Sequence, residues 1–140
     1  MAKTCSFVLA ACLLALPGIA GGQDRDKKAD ADSKQTAELM QRKLRESQKV
    51  LEAIALGKFE DIASHAEELI EVSKAASFRV LKTPRYEVYS KDFQRIAEAM
   101  AKHANDKNLD AAALDYVELT LTCVKCHKHV REEKMVRLDR

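Results

Sequence analysis

Apolar residues in this chain recur at three- and four-residue intervals through four successive stretches, with no sustained two-residue alternation. Such spacing lines up side chains along one side of an α-helix, whereas a half-buried strand needs a period of two. The pattern predicts an all-α fold without a sheet. In the first stretch, from about Ser33 or Thr36 to Leu56, Met40, Leu44, Ser47, Leu51 and Ile54 form one narrow stripe of a bundle helix. Gly57 stops it, as glycine does just past a helix end. The second stretch runs from about Phe59 to Ser77. There Ile62, Ala66, Leu69, Ile70 and Ser73 face one way, and Glu67, Glu68, Glu71 and Lys74 face water.

Thr83-Pro84 marks the next break, because the residue before a proline avoids the helical region. The third helix begins between Pro84 and Ser90 and ends near Lys107, with Tyr89, Phe93, Ile96, Ala97, Met100 and Ala104 as its buried side. Asn108 suits the cap of a fourth helix, and Asp110 falls in its first turn, where the helix dipole favours a carboxylate. That helix carries Leu114, Val117, Leu121 and Val124 and runs to about Lys134. Helices of these lengths with short connections favour an antiparallel four-helix bundle. Composition agrees: 140 residues make one domain, and four glycines and two prolines are too few for the turns of a sandwich or barrel. Lys and Arg number 24 against 22 Asp and Glu, too even a balance for a general nucleic-acid binder.

The N-terminus reads as a secretory signal. Lys3 supplies the positive region, Phe7 to Leu16 the apolar run, and Gly18-Ile19-Ala20 the small residues for cleavage after Ala20, or as late as residue 22. The run is too short to span a bilayer. Leu9-Ala10-Ala11-Cys12 looks like a lipobox, so lipid attachment through Cys12 is the competing reading. Residues 21–33, with Asp24, Arg25, Asp26, Lys27, Lys28, Asp30 and Asp32, are expected as a flexible charged leader. Residues 34–140 are the four-helix domain. Export to the periplasm as a soluble protein follows.

Cleavage removes Cys5 and Cys12 and leaves Cys123 and Cys126 as the thiols of the exported chain. Two cysteines three apart would close a trivially small loop, so they need a chemical rather than a structural explanation. The run Cys123-Val124-Lys125-Cys126-His127 is the attachment signature of c-type haem. Positions i, i+3 and i+4 share one side of a helix, so both thiols can add to the vinyl groups of one porphyrin edge while His127 points at the iron. A thioredoxin-like pair would need a preceding strand, yet Asp115 to Thr122 continue a helix. Zinc would need Cys123, Cys126, His127 and His129 to converge, and His129 points well away from the others.

A lone haem motif at the C-terminal end of a four-helix chain resembles the class II c-type cytochromes, the cytochrome c′ family. The resemblance covers about Ser33 to Lys134. The family pattern Cys-x-x-Cys-His-x-x-aromatic-Arg corresponds to Cys123, Cys126, His127, Val130 and Arg131, with Val130 departing from the usual aromatic. The resemblance implies a four-helix bundle carrying one covalent haem c. In the family a residue of the first helix covers the distal haem face: an apolar residue in many members, a methionine ligand in a low-spin branch. Counting back from the first interhelical turn, that position is Met40. Met100 is expected in the core, and Met135 cannot cross to the other haem face.

The site residues are therefore Cys123, Cys126 and His127 for attachment, His127 and Met40 for iron, and Arg131, four residues past His127, beside a propionate. His65 and His103 are expected as surface or satisfied residues, and His129 as solvated beside the haem edge. Lys125, Lys128, Arg131, Lys134, Arg137 and Arg140 crowd the chain's end and could steer an acidic protein redox partner, or simply complement a helix dipole. No general base over a substrate cleft is evident. The expectation is an electron carrier with no catalytic residues and no nucleic-acid partner. A homodimer is a further expectation, since dimers are familiar in that family. The alternative is a five-coordinate protein that binds nitric oxide or carbon monoxide.

Overall fold

The computed structural model describes residues 23–75 and 83–138. The expected signal segment, including Cys5, Cys12 and the cleavage sites, lies outside them. Four helices make up the described chain: α1 Gln23–Ala55, α2 Phe59–Lys74, α3 Pro84–Asn105 and α4 Leu109–Leu138. They form a four-helix bundle, with no strand among the described residues. Each helix packs most extensively against its neighbours in sequence, α1 and α4 touch far less, and the remaining two pairs barely meet.

Polar contacts between helices show their directions. Along α1 from Arg42 to Glu46, the partner on α2 retreats from Glu68 to His65. Along α3 from Arg95 to His103, the partner on α4 retreats from Glu118 to Asp115. Both pairs therefore run antiparallel.

The two described turns have the same local chemistry. After α1, Lys58 N–H donates to the Ala53 carbonyl at 2.9 Å and Gly57 N–H to Ile54 at 3.1 Å. After α3, Asn108 N–H donates to His103 at 2.9 Å and Lys107 N–H to Ala104 at 3.0 Å. These are paired Schellman closures, which need a left-handed residue just past the helix. Gly57 takes that conformation at φ +65°, and Lys107 takes it at φ 60° despite its side chain. Asn108 then caps α4 as expected, its Oδ1 accepting from Ala111 N–H at 3.1 Å. Thr83 caps α3 in the same way, accepting from Tyr86 N–H at 3.2 Å, with Pro84 in the first turn.

The core runs along the bundle axis and alternates large with small side chains. Val50 and Ala53 of α1, Ile62, Ala66 and Leu69 of α2, Phe93, Ile96, Ala97 and Met100 of α3, and Ala112 and Leu119 of α4 meet there. The alanines let the helices approach while the larger residues fill the layers between them. A separate, smaller cluster sits nearer the C-terminal end of α4, where Met40, Cys126 and Val130 pack on buried Tyr86.

The structure corrects the sequence reading in three places. The charged stretch expected as a flexible leader is helical from Gln23, and it is exposed from Lys27 to Gln35. On α1 the buried line is Glu46, Val50 and Ala53, while Leu44 and Leu51 of the expected stripe are exposed. On α4 the inner side carries Ala112, Leu119 and Thr122, and Leu114, Val117, Leu121 and Val124 all face outward. Both helices are apolar over more than one arc, and spacing alone does not say which arc the neighbours will cover.

Two outcomes follow. A Cβ at Gly57 meets nothing within 4 Å, so Gly57→Ala costs only its backbone conformation. Chemical denaturation should show a loss of about 1 kcal/mol with an unchanged slope. Glu46 is buried between Lys49 Nζ at 2.9 Å and His65 Nδ1 at 2.8 Å. Burial alone would raise its pKa, but the two hydrogen bonds and the charges behind them hold it below the ordinary 4.5. A depressed carboxylate stabilises the fold fully above its unfolded pKa and loses that contribution as pH falls through the folded one. Stability should therefore drop with acidification below about pH 4.5, and Glu46→Gln should make that decline shallower.

Candidate functional site

A single helix presents the Cys-x-x-Cys-His run. Cys123, Cys126 and His127 lie on continuous α4, spaced so that one side of the helix carries all three. Cys123 packs against the main core and Cys126 against the Tyr86 cluster, so the pair straddles the junction of the two. Because α1 and α4 barely touch, a cleft of about 280 Å³ opens between them. Cys123, Cys126 and His127 line it from α4, Met40, Lys43 and Leu44 from α1, and Tyr86 and Phe93 from α3. Cys123 and Met40, 83 positions apart in the sequence, thus share one largely apolar cleft with Cys126 and His127. Ser47 Oγ lies 3.5 Å from Tyr116 Oη, a polar contact between α1 and α4.

The electrostatics of the cleft follow from the partial burial of its polar groups. Burial pushes both thiols above their ordinary value of 9.0, with Lys43 pulling the other way. Redox-active cysteine pairs need the opposite, a stabilised thiolate. Burial also lowers the His127 pKa below 6.5, helped by the positive charges of Arg131 and Lys43. Its imidazole is accordingly neutral at neutral pH, which is the form that binds metals. Arg131 is exposed, one turn past His127 on α4.

Sequence reasoning passed over Lys43. Its ammonium sits 3.3 Å from the centre of the Phe93 ring, a cation–π contact inside the cleft. Burial lowers its pKa to about 8, against an opposing effect of the Cys123 and Cys126 charges. The signal was present: Lys43 falls one turn after Met40 and one turn before Ser47, in line with residues expected to be buried.

The histidines separate cleanly. His65 bonds Glu46 and His103 bonds Asp115 at 2.6 Å, so both are satisfied between helices, as expected. His129 is not solvated. It is buried, shares a hydrogen bond of 2.9 Å with the Thr83 hydroxyl, and meets the edge of Tyr89 with ring centres 6.1 Å apart. The Thr83 hydroxyl thus joins the cap of α3 to the C-terminal half of α4. His129 is turned to α3, away from the cleft that Cys123, Cys126 and His127 line, and no three His, Cys, Asp or Glu side chains among the described residues are grouped to hold a metal ion by themselves. Met100 is fully buried in the core, and Met135 is exposed. No helix among the described residues is long and apolar enough to cross a membrane. No family model, no curated protein and no solved structure matches this chain.

Proposed function

We propose that this protein is an exported c-type cytochrome carrying single electrons between protein partners. Cys123 and Cys126 would hold one haem c through thioether bonds, His127 would be its proximal iron ligand, and Met40 its distal one. The observation that carries the reading is the shared cleft: residues of α1 and α4 so far apart in sequence line one apolar space together with the haem-attachment run. The donor set fits the group. The two thiols stay protonated until they react, the imidazole is neutral, and a thioether stands across the bundle on another helix. Export rests on the N-terminal segment and agrees with a cofactor attached outside the cytoplasm.

When bound, haem iron supplies a one-electron couple between its ferric and ferrous states. The chain's own residues set the conditions for it. Tyr86, Phe93 and Leu44 give the cleft apolar walls, and an apolar site disfavours the extra positive charge of the oxidised state. Met40 adds a soft ligand that acts in the same direction. Lys43 inside the cleft and exposed Arg131, one turn past His127, would be the cations suited to the propionates. Lys125, Lys128 and Lys134 on the same helix would meet an acidic redox partner.

Replacing Cys123 and Cys126 together by Ala, or His127 by Ala, should abolish stable haem incorporation when the chain is produced with the attachment machinery. Acid–acetone should leave the colour with the native protein, and complete extraction would refute covalent attachment. Met40→Ala should leave the covalent anchor and the fold in place, at a cost of no more than about 2–5 kcal/mol. Its ferric spectrum should become high-spin or water-bound, its potential should fall, and the reduced form should gain carbon monoxide affinity. Met100→Ala, a core change, should lower stability and leave the spectrum alone. An unaltered spectrum in Met40→Ala would remove Met40 from the iron and favour the gas-binding reading.

A further inference from the structure

Past Cys126, few contacts hold α4 to the rest of the bundle. From His127 to Val136 the one buried residue is His129, with Val130 and Glu133 half-buried. Apolar packing is slight there: Cys126 and Val130 rest on Tyr86. The tie that supplements it is polar, the hydrogen bond of 2.9 Å between His129 Nε2 and the Thr83 hydroxyl. A buried imidazole is costly unless it is hydrogen-bonded. A leucine at position 129 would avoid that cost, but it would also let the helix turn or slide against α3 with little penalty. A satisfied polar pair accepts one distance and one direction, and so specifies a single arrangement. Tyr89 stands beside the ring, its centre 6.1 Å from that of His129. The same Thr83 hydroxyl accepts from the Tyr86 N–H at 3.2 Å, and Met40 and Cys126 pack on Tyr86. One oxygen thus joins the wall of the cleft to the helix that carries the attachment run.

We propose that Thr83 and His129 are a positioning pair that sets the rotation of α4 about its own axis and thereby holds His127 toward the cleft. The inference rests on the haem reading of that cleft. His127 and His129 are two residues apart, which places them about 200° apart around the helix, on nearly opposite sides. The helix between them is continuous. Anchoring one ring to α3 therefore aims the other at the cleft, which His127 lines and His129 does not.

The lever is sensitive. Side chains reach about 5–6 Å from a helix axis, so a rotation of about 20° would carry the His127 ring about 2 Å. A ligating group has to be held within about 0.5 Å of its working position. Thioethers at Cys123 and Cys126 would not replace the pair, because each leaves several single bonds free to turn. Thr83 and His129 lie on the α3 side of α4, so their effect on the iron would pass through His127 alone.

The full exported chain, produced with the attachment machinery, gives the test. Its ferric haem-methyl proton shifts report the orientation of the axial imidazole ring. His129→Phe keeps a ring beside Tyr89 and leaves the cap of α3 intact, but removes the bond to Thr83. It should retain covalent haem, change the spread of the methyl shifts and bind added imidazole about 10-fold more tightly. Thr83→Val should do the same with the cap lost as well, and replaces His129→Phe if that variant does not fold. Thr83→Ser keeps the hydroxyl and should match the wild type in both measurements. A lower melting temperature with unchanged methyl shifts and imidazole affinity, in His129→Phe and Thr83→Val alike, would mark a bond that only stabilises the fold and would overturn the proposal. A wild-type chain without covalent haem would instead overturn the reading of the cleft, and this proposal with it.

Discussion

The gap between α1 and α4 governs how this bundle can be used. α3 packs closely on both α2 and α4, and α2 closely on α1, but the ring of contacts is left nearly open where the first and last helices should meet. Phe93 and Tyr86, reaching in from α3, form the wall of that opening. A bundle closed on all four sides would bury Cys123 and Cys126 against neighbours. Here they line an apolar cleft.

Much of the fold was legible because its punctuation is chemical and local. Gly57, Thr83-Pro84 and Asn108 act through backbone conformation or a single side-chain hydrogen bond, so they mark the helix ends without knowledge of the tertiary structure. The faces of α2 and α3 were legible for a related reason, since each has one apolar arc and charges on the other. α1 and α4 were harder. α4 has an inner arc of Ala112, Leu119, Thr122 and the cysteines, and an outer arc of leucines and valines that is the more hydrophobic of the two. Transfer energy alone would bury the outer arc. It stays outside because the inner one carries small residues that fit α3 and the groups that bond there, Asp115 with His103 and His129 with Thr83.

The candidate site shows the same division. Cys123, Cys126 and His127 could be read from spacing because three neighbours on one helix need no tertiary information. Met40 was reached only by counting from a turn, and its place on the cleft depends on how α1 crosses α4. Lys43 was passed over, and His129 was expected in water. Lys43 lays its ammonium against the Phe93 ring, and His129 is buried with the Thr83 hydroxyl as a partner and Tyr89 beside it. These contacts come from α3 and its cap, which no pattern within α1 or α4 contains.

Lys43 also links the present charge balance to the proposed cofactor. A buried ammonium is costly unless compensated. In this structure the ammonium lies 3.3 Å from the centre of the Phe93 ring, whose face attracts a cation. Cys123 and Cys126, their pKa values raised by burial, stay neutral beside it. The proposed haem would bring two carboxylates, which gain more beside a half-buried cation such as Lys43 than beside exposed Arg131, where water screens the charge. The position of Lys43 on α1 would tie that helix to a group anchored on α4, across the adjacent pair of helices that touches least.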